Sequence, residues 1–584
     1  MKSIISLPAT LLVLSAGAIA QNTNSAPVIH GELGARVDQY MTRMAAFGLS
    51  GSLLVVKGGQ VAVMKGYGLA DDERQVQVTA DMPFIIASLS KQFTAAAILK
   101  LEMQGRLRTS DTIGRFFPSA PADKQGITIH QLLTHTAGLR YLDESMFRQE
   151  DHDKAMARIL STPLAGTPGA SFAYSNPGYS LLAGIIEQAS GVSFEQYLRA
   201  NIFDPAGMTN TGFMGDDGYA KLNQLHSYSG LKDEGPTSGF PHGTDMAGAG
   251  SIYSTLSDLY KWEKALAGEA VLSSAAREQF FKAHVPVQGP MSYAYGWNTT
   301  QTIRGTRLVF HAGDLGGYNV EYRRYLDEDL VMIFLSNRRV NGTGYRMAVM
   351  NPLSLLIAGT KYPEPPAIVE LSPAKMDQFT GRYELPTGGA ILAWMENGSL
   401  MMSAEGQDGL LLLAGGRDAD SLALVELGNT TRDVVMGISR GEFDLLKERL
   451  HPSYPFEDVK NGLAGDLREL SDSLGAFKGV EIVGSVMPTP TTARTFFRLR
   501  FEHGSVQQAY SWVGAHISAI DERAPRALVT RFAPASDNVV VSFDPFTGAT
   551  SKIEFTPGSS GGISGLSATT GKGVLRAART SSKI

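Results

Sequence analysis

Three short groups of residues in this 584-residue chain have the types and order of an acyl-transfer site. In Ser88-Leu89-Ser90-Lys91 the serine and lysine stand three residues apart, which on a helix puts them on one face with the amine in reach of the hydroxyl. A helix N-terminus there adds partial positive charge and free N–H groups, which favour an alkoxide and a developing oxyanion. In Tyr174-Ser175-Asn176 a tyrosine can relay protons between the serine, the leaving group and water, and Asn176 can orient the lysine and a substrate amide. In His311-Ala312-Gly313-Asp314, Gly313 permits close approach of a substrate backbone. The N–H of Asp314 can pair with that of Ser88 as an oxyanion hole. Each group alone has an ordinary structural reading: a capped surface helix, a loop tyrosine, a strand histidine.

The elements that must hold these groups are legible around them. Leu89, Phe93, Ala97 and Leu101 share a helical face that ends near Gly105. The loop from Phe172 to Tyr179 precedes a helix expected to begin near Ser180, and His311 lies on a strand beginning near Arg307. Leu53 to Val56 and Val61 to Met64 flank Gly58-Gly59 as a hairpin. Tyr318 to Tyr325 and Leu330 to Leu335 follow as strands around Asp327-Glu328, and a helix near Tyr345 to Ile357 closes the region. The expected organisation is a signal peptide over 1–20, a catalytic domain over 28–360 and a Pro-rich linker over 361–372. A β domain follows over 373–430 with 525–584, interrupted by an α+β insertion over 431–524.

Composition narrows the class. Met1-Lys2-Ser3, an apolar run from Ile4 to Ile19 and Ala18-Ile19-Ala20 read as a secretory signal, so the expected location is secreted or periplasmic, with no membrane span in the mature chain. The chain has no cysteine. That excludes a cysteine nucleophile, disulfides and a thiolate metal site. A net charge of −5 offers no footprint for nucleic acid. No metal or cofactor is implied, because the histidines lack paired ligand spacing and no Gly-rich phosphate loop follows a strand. The oligomeric state is left open. Ser536-Asp537-Asn538 and the Gly-Ser-Ser-Gly-Gly run over 558–562 imitate catalytic motifs but lie in turns of the downstream region.

Taken in order and at these wide spacings, the three groups resemble the serine beta-lactamase and penicillin-binding-protein superfamily, which includes class C beta-lactamases, D-aminopeptidases, D-Ala-D-Ala carboxypeptidases and esterases. The resemblance covers roughly residues 30–359. Two further stretches are similar to the family, one from Leu132 through Thr134-His135-Thr136 to Leu139, the other from Gly248 to Leu259. His135 and Asp258 are expected to build a turn and cap a helix.

The resemblance implies an α+β catalytic domain, an antiparallel sheet flanked by helices with a helical subdomain, followed by a lipocalin-like β barrel. It also implies a Ser88 acyl-enzyme released by water, with Ser88, Lys91, Tyr174, Asn176 and His311 as site residues and either Lys91 or Tyr174 as general base. Many relatives carry lysine at the position of His311. Lysine is a cation with a pKa of about 10.4 and histidine, at about 6.5, is mostly neutral at pH 7. Carboxylate recognition is therefore expected to be weaker, and the expected substrate is a small D-amino-acid peptide, amide or ester. The alternatives are a penicillin-binding or sensor protein that is acylated with little turnover, and a true beta-lactamase. The downstream region is expected to shape substrate access or to stabilise the protein.

Overall fold

The computed structural model describes residues 26–140, 147–340, 343–413, 421–487, 491–521, 528–559, 561–570 and 573–582. The signal-peptide expectation falls on residues outside that set. The region upstream of the Pro-rich linker is built on a nine-stranded antiparallel sheet. From one edge its order runs Val28–Ile29, Gln60–Tyr67, Gly51–Lys57, Leu330–Ser336, Tyr318–Tyr325, Arg307–Leu315, Asn298–Gln301, Met291–Tyr293 and Val285–Gln288. Gly51–Lys57 is central, and its nearly unbroken apolar run is buried on both faces.

The alternation of side chains along that strand separates two cores. Leu53 and Val55 face helices Gly31–Ala46 and Arg346–Ile357, where they pack with Met41, Met44, Val349 and Leu353. Leu54 and Val56 face the opposite, larger core, which contains helix Ser90–Met103 and the helical subdomain. Ser90–Met103 is buried almost all round, so it is a central helix rather than an amphipathic surface one.

Downstream, eight strands close into a barrel: Gly381–Glu384, Ala390–Glu396, Ser399–Glu405, Thr530–Ser536, Val539–Phe543, Thr550–Pro557, Ile563–Thr570 and Gly573–Ser581. Closure removes the exposed strand edges that an open sheet would leave. Between the third and fourth strands stand helices Gln407–Leu413, Ser421–Arg440, Asp444–Arg449 and Phe456–Leu474, then a four-stranded sheet spanning Phe477–Val486 to His516–Asp521. The boundary expected at 430/431 therefore falls inside helix Ser421–Arg440, and the barrel strands already stop at Glu405. The cause is that this helix packs its apolar face on the inserted sheet, in a core with Phe497, Tyr510 and Trp512, and not on the barrel.

The barrel docks on the region upstream of the linker through Ala533, Val541 and Phe543, which join the core around Phe47 and Tyr345. Phe543 and Phe47 meet ring to ring at 5.7 Å. That core lies on the sheet face opposite the one carrying Ser90–Met103. Among the described residues, no helix is long and apolar enough to cross a membrane.

Candidate active site

Ser88 sits in a single 3-10 turn, Ala87–Leu89, that feeds directly into helix Ser90–Met103. The turn is held by Ile86, whose N–H donates to the Ile252 carbonyl and whose own carbonyl accepts from Leu89. Ala87 adopts φ +46°, the left-handed region, which for a residue with a Cβ costs about 1–2 kcal/mol. Strain of this size persists only where surrounding packing over-determines it. Here the result is a partly exposed Ser88 between two buried neighbours.

Lys91 is 0% exposed. Its Nζ lies 2.8 Å from Asn176 Oδ1, 2.8 Å from the Ala249 carbonyl and 3.2 Å from Ser88 Oγ. Two of the three neighbours can only accept hydrogen bonds. A neutral amine satisfies both with its two N–H groups and turns its lone pair toward the Ser88 hydroxyl. Burial pushes the Lys91 pKa well below its ordinary 10.5. The rings of Tyr174 and Tyr179 lie 4.9 and 5.5 Å from Nζ. The Ala249 carbonyl was not legible as a site group, although the segment from Gly248 was. Gly248 has φ +74°, and a Cβ there would meet the Tyr179 carbonyl at 2.3 Å. Glycine thus lets this segment press in, aiming its carbonyls at Lys91 and, at 2.7 Å, at Thr94.

Tyr174, Ser175 and Asn176 form a helix start rather than a loop ahead of one. The helix spans Asn176–Ser190, not from Ser180, because Ser175 caps it by accepting the Gly178 N–H and Pro177 suits the first turn. Asn176 is therefore fixed by helical backbone. Tyr174 precedes the cap, is partly exposed, and lies against His135 with ring centroids 4.3 Å apart and the planes tilted by 33°. Asp258 departs from its expected role: Thr255 caps helix Leu256–Ala267. Asp258 accepts instead from the Asn210 N–H and the Thr211 hydroxyl and pairs with Lys261.

The strand Arg307–Leu315 runs past the serine turn. A Cβ on Gly313 would meet the Ile86 carbonyl at 2.3 Å and Ala87 Cβ at 3.2 Å. Gly313 is thus required by the packing of the turn that presents Ser88, a different reason from the substrate approach read from the sequence. His311 is buried, donates from Nδ1 to the Ala312 carbonyl at 2.7 Å and accepts at Nε2 from the Tyr293 hydroxyl at 3.1 Å. Burial brings its pKa down to about 3. It is a neutral positioning group whose nitrogens are both engaged. Asp314 follows, its carboxylate taken by Asn319 at 2.5 Å, Arg339 at 2.9 Å and Arg346. Tyr293 and these two arginines, which come from distant elements, were not legible as site residues before the fold was known.

A cavity of about 660 Å³ lies elsewhere, lined by Asp81, Arg199, Asp216, Lys221 and Tyr253 among others, and none of the site residues lines it. The convergence of groups on Ser88, not the size of a hollow, identifies the site. Among the described residues, no cluster of three or more His, Asp or Glu is placed to hold a metal.

Comparison with known proteins agrees with this geometry. A family model described as Beta-lactamase matches residues 34–352. The chain is 31% identical over 383 residues to "Penicillin-binding protein 4*" of Bacillus subtilis (strain 168), covering 61% of this chain and 84% of that one. Among solved structures, the octameric penicillin-binding protein homologue from Pyrococcus abyssi matches with a TM-score of 0.50 at 18% identity, covering 87% of this chain and 97% of that one. The D-amino acid amidase from Ochrobactrum anthropi SV3 matches with a TM-score of 0.51 at 20% identity, covering 57% and 100%. These two likenesses speak to fold, whereas the family model spans more than half the chain and includes all the groups gathered at Ser88. The chain belongs to the beta-lactamase family.

Proposed function

We propose that this protein is an exported serine hydrolase that forms an acyl-enzyme on Ser88 with amide or ester substrates, D-amino-acid amides and small D-peptides first among them. The observation that carries the reading is the buried Lys91 with two carbonyl acceptors and, among the described residues, no carboxylate among its hydrogen-bond partners, a setting that favours the neutral amine. As Ser88 Oγ attacks the substrate carbonyl carbon, its proton passes to Lys91 Nζ. The carbonyl oxygen becomes an oxyanion, for which the N–H groups of Ser88 and Asp314 are the assigned donors. Collapse breaks the bond to the leaving nitrogen or oxygen, which takes a proton relayed through Tyr174, and water then repeats the sequence to free the acid. The substrate class draws on the amidase likeness and on the neutral His311, which offers no cation to a carboxylate. Export rests on the signal-like first twenty residues.

A second reading is favoured by one observation. Arg339 and Arg346 both pair with Asp314, and Arg346 also lies 4.0 Å from Glu321, which Arg323 holds, so three guanidiniums meet two carboxylates and leave net positive charge beside the strand. A substrate bearing a carboxylate, beta-lactams included, could pair there. The test is intact-mass analysis of the protein, with Ser88→Ala as control, after exposure to a fluorescent penicillin, p-nitrophenyl acetate and paired D- and L-amino-acid amides. The proposal expects a transient adduct on Ser88 and steady turnover of an ester or D-amide. A permanent label with no turnover of any of them would make the protein an acylated binding protein instead.

A further inference from the structure

We infer that His135 is a positioning residue that sets the place of Tyr174 through a two-point backbone clamp and a supporting ring. This rests on the proposed hydrolase reading and adds a residue to it. The clamp brackets the tyrosine. The N–H of Ala173 donates to the His135 carbonyl at 2.8 Å, and the N–H of Ser175 donates to His135 Nδ1 at 3.0 Å. One residue therefore holds the backbone on both sides of Tyr174. Its ring also lies against the Tyr174 ring at 4.3 Å with 33° between the planes.

The remaining features of His135 make sense only if this geometry is being enforced. The residue has φ +56°, a conformation that few residues with a Cβ adopt. It is 1% exposed, within a cage formed by Tyr174, Phe172, Tyr179 and Tyr293. Because Nδ1 accepts from Ser175, the proton of the neutral ring sits on Nε2. Among the described residues that nitrogen is buried without a hydrogen-bond partner. A buried polar group left unsatisfied costs about 1–3 kcal/mol. Leucine or phenylalanine would carry no such penalty but could not accept the Ser175 N–H. A protonated histidine could not accept it either, and burial holds its pKa well below 6.5. The ring must be histidine, neutral and in one tautomer, to act as both acceptor and support. It does not touch Ser88 or the reacting atoms.

Two substitutions separate the parts. His135→Phe keeps the supporting ring and removes the acceptor. His135→Asn keeps a side-chain acceptor on a residue that tolerates positive φ, and removes the support. Turnover of p-nitrophenyl acetate and of the best D-amide would be measured per competent site, with sites counted by long labelling with fluorescent penicillin. For His135→Phe a displaced Tyr174 should lower kcat about 10²-fold, with KM changed less than about threefold. His135→Asn should recover part of the loss. The acid limb of the pH profile should stay in place, since Lys91 keeps its three partners. If kcat per labelled site is unchanged in both variants, or if the loss follows KM alone, the inference falls. If the wild-type protein shows neither a Ser88 adduct nor Ser88-dependent turnover with the esters and amides, the hydrolase reading falls instead, so the two failures are told apart.

Discussion

Replacing Asn176 by Asp tests whether Lys91 works as a neutral base, because it changes one atom and leaves the shape of the site intact. Asn176 Oδ1 lies 2.8 Å from Lys91 Nζ. A carboxylate at that distance attracts the ammonium by about 6 kcal/mol at an effective dielectric near 20. At about 1.4 kcal/mol per unit this is about 4 pKa units in favour of the charged lysine. The new carboxylate is itself desolvated in a position only 5% exposed, which takes back part of the effect. A net upward shift of about 2 units or more remains. Below the new pKa the fraction of neutral lysine drops tenfold per unit, so acylation near the original acid limb should slow about 10²-fold. Stopped-flow acylation by p-nitrophenyl acetate from pH 5 to 10 reads the limb directly, with thermal unfolding as a check on the fold. If the variant folds and acylates with its acid limb unmoved, Lys91 is not the base that activates Ser88, and Tyr174 becomes the candidate.

Gly313→Ala places a methyl 2.3 Å from the Ile86 carbonyl and should displace the serine turn, lowering kcat/KM about 10²-fold while substrate binding by other parts of the site persists; inhibitor affinity measured beside turnover checks it. Stability should fall in acid on account of His311. Its folded pKa, about 3, lies below the unfolded value near 6.5, so its contribution is complete above pH 6.5. As pH drops toward 3 the unfolded chain binds a proton that the folded one refuses, costing about 1.4 kcal/mol per unit. Urea midpoints of wild type and His311→Gln between pH 7 and 4 should diverge accordingly, and parallel curves would refute the assignment. Phe543→Ala should destabilise the protein by about 3 kcal/mol by opening the barrel's docking core, seen as a lower Tm, with kcat/KM of small esters unchanged.

What could be read from the sequence was whatever lay within one turn or one strand. Ser88 and Lys91 share a helix start, so their meeting follows from local geometry, and the strand carrying His311 shows in its alternation. A β domain was expected downstream of the Pro-rich linker, and its closure into a barrel was implied by the family resemblance alone. The helix start at Asn176 was misplaced because the aromatic and small residues around it mask Ser175 as a cap. Partners contributed by distant segments were not legible at all. The Ala249 carbonyl has no side-chain signature, Tyr293 reaches His311 from two strands away, and Arg346 reaches Asp314 from a helix 32 positions further along. Backbone acceptors and long-range pairs depend on the finished fold, and periodicity carries no trace of them.

The arrangement of the two domains follows from the same alternation that divides the catalytic core. Residues one apart on Gly51–Lys57 face different layers, so the sheet acts as a partition: the layer of Gly31–Ala46 and Arg346–Ile357 on one side, the helix behind Ser88 on the other. The barrel joins the first layer. A domain seated there can stiffen the helix that carries Arg346, and through Arg346 and Asp314 it is linked to the strand beside Ser88. It does so without placing Ala533, Val541 or Phe543 near the nucleophile. The route by which it could influence chemistry runs through Arg346–Ile357 and the strand Arg307–Leu315, whose register against Tyr318–Tyr325 holds His311, Gly313 and Asp314 in line.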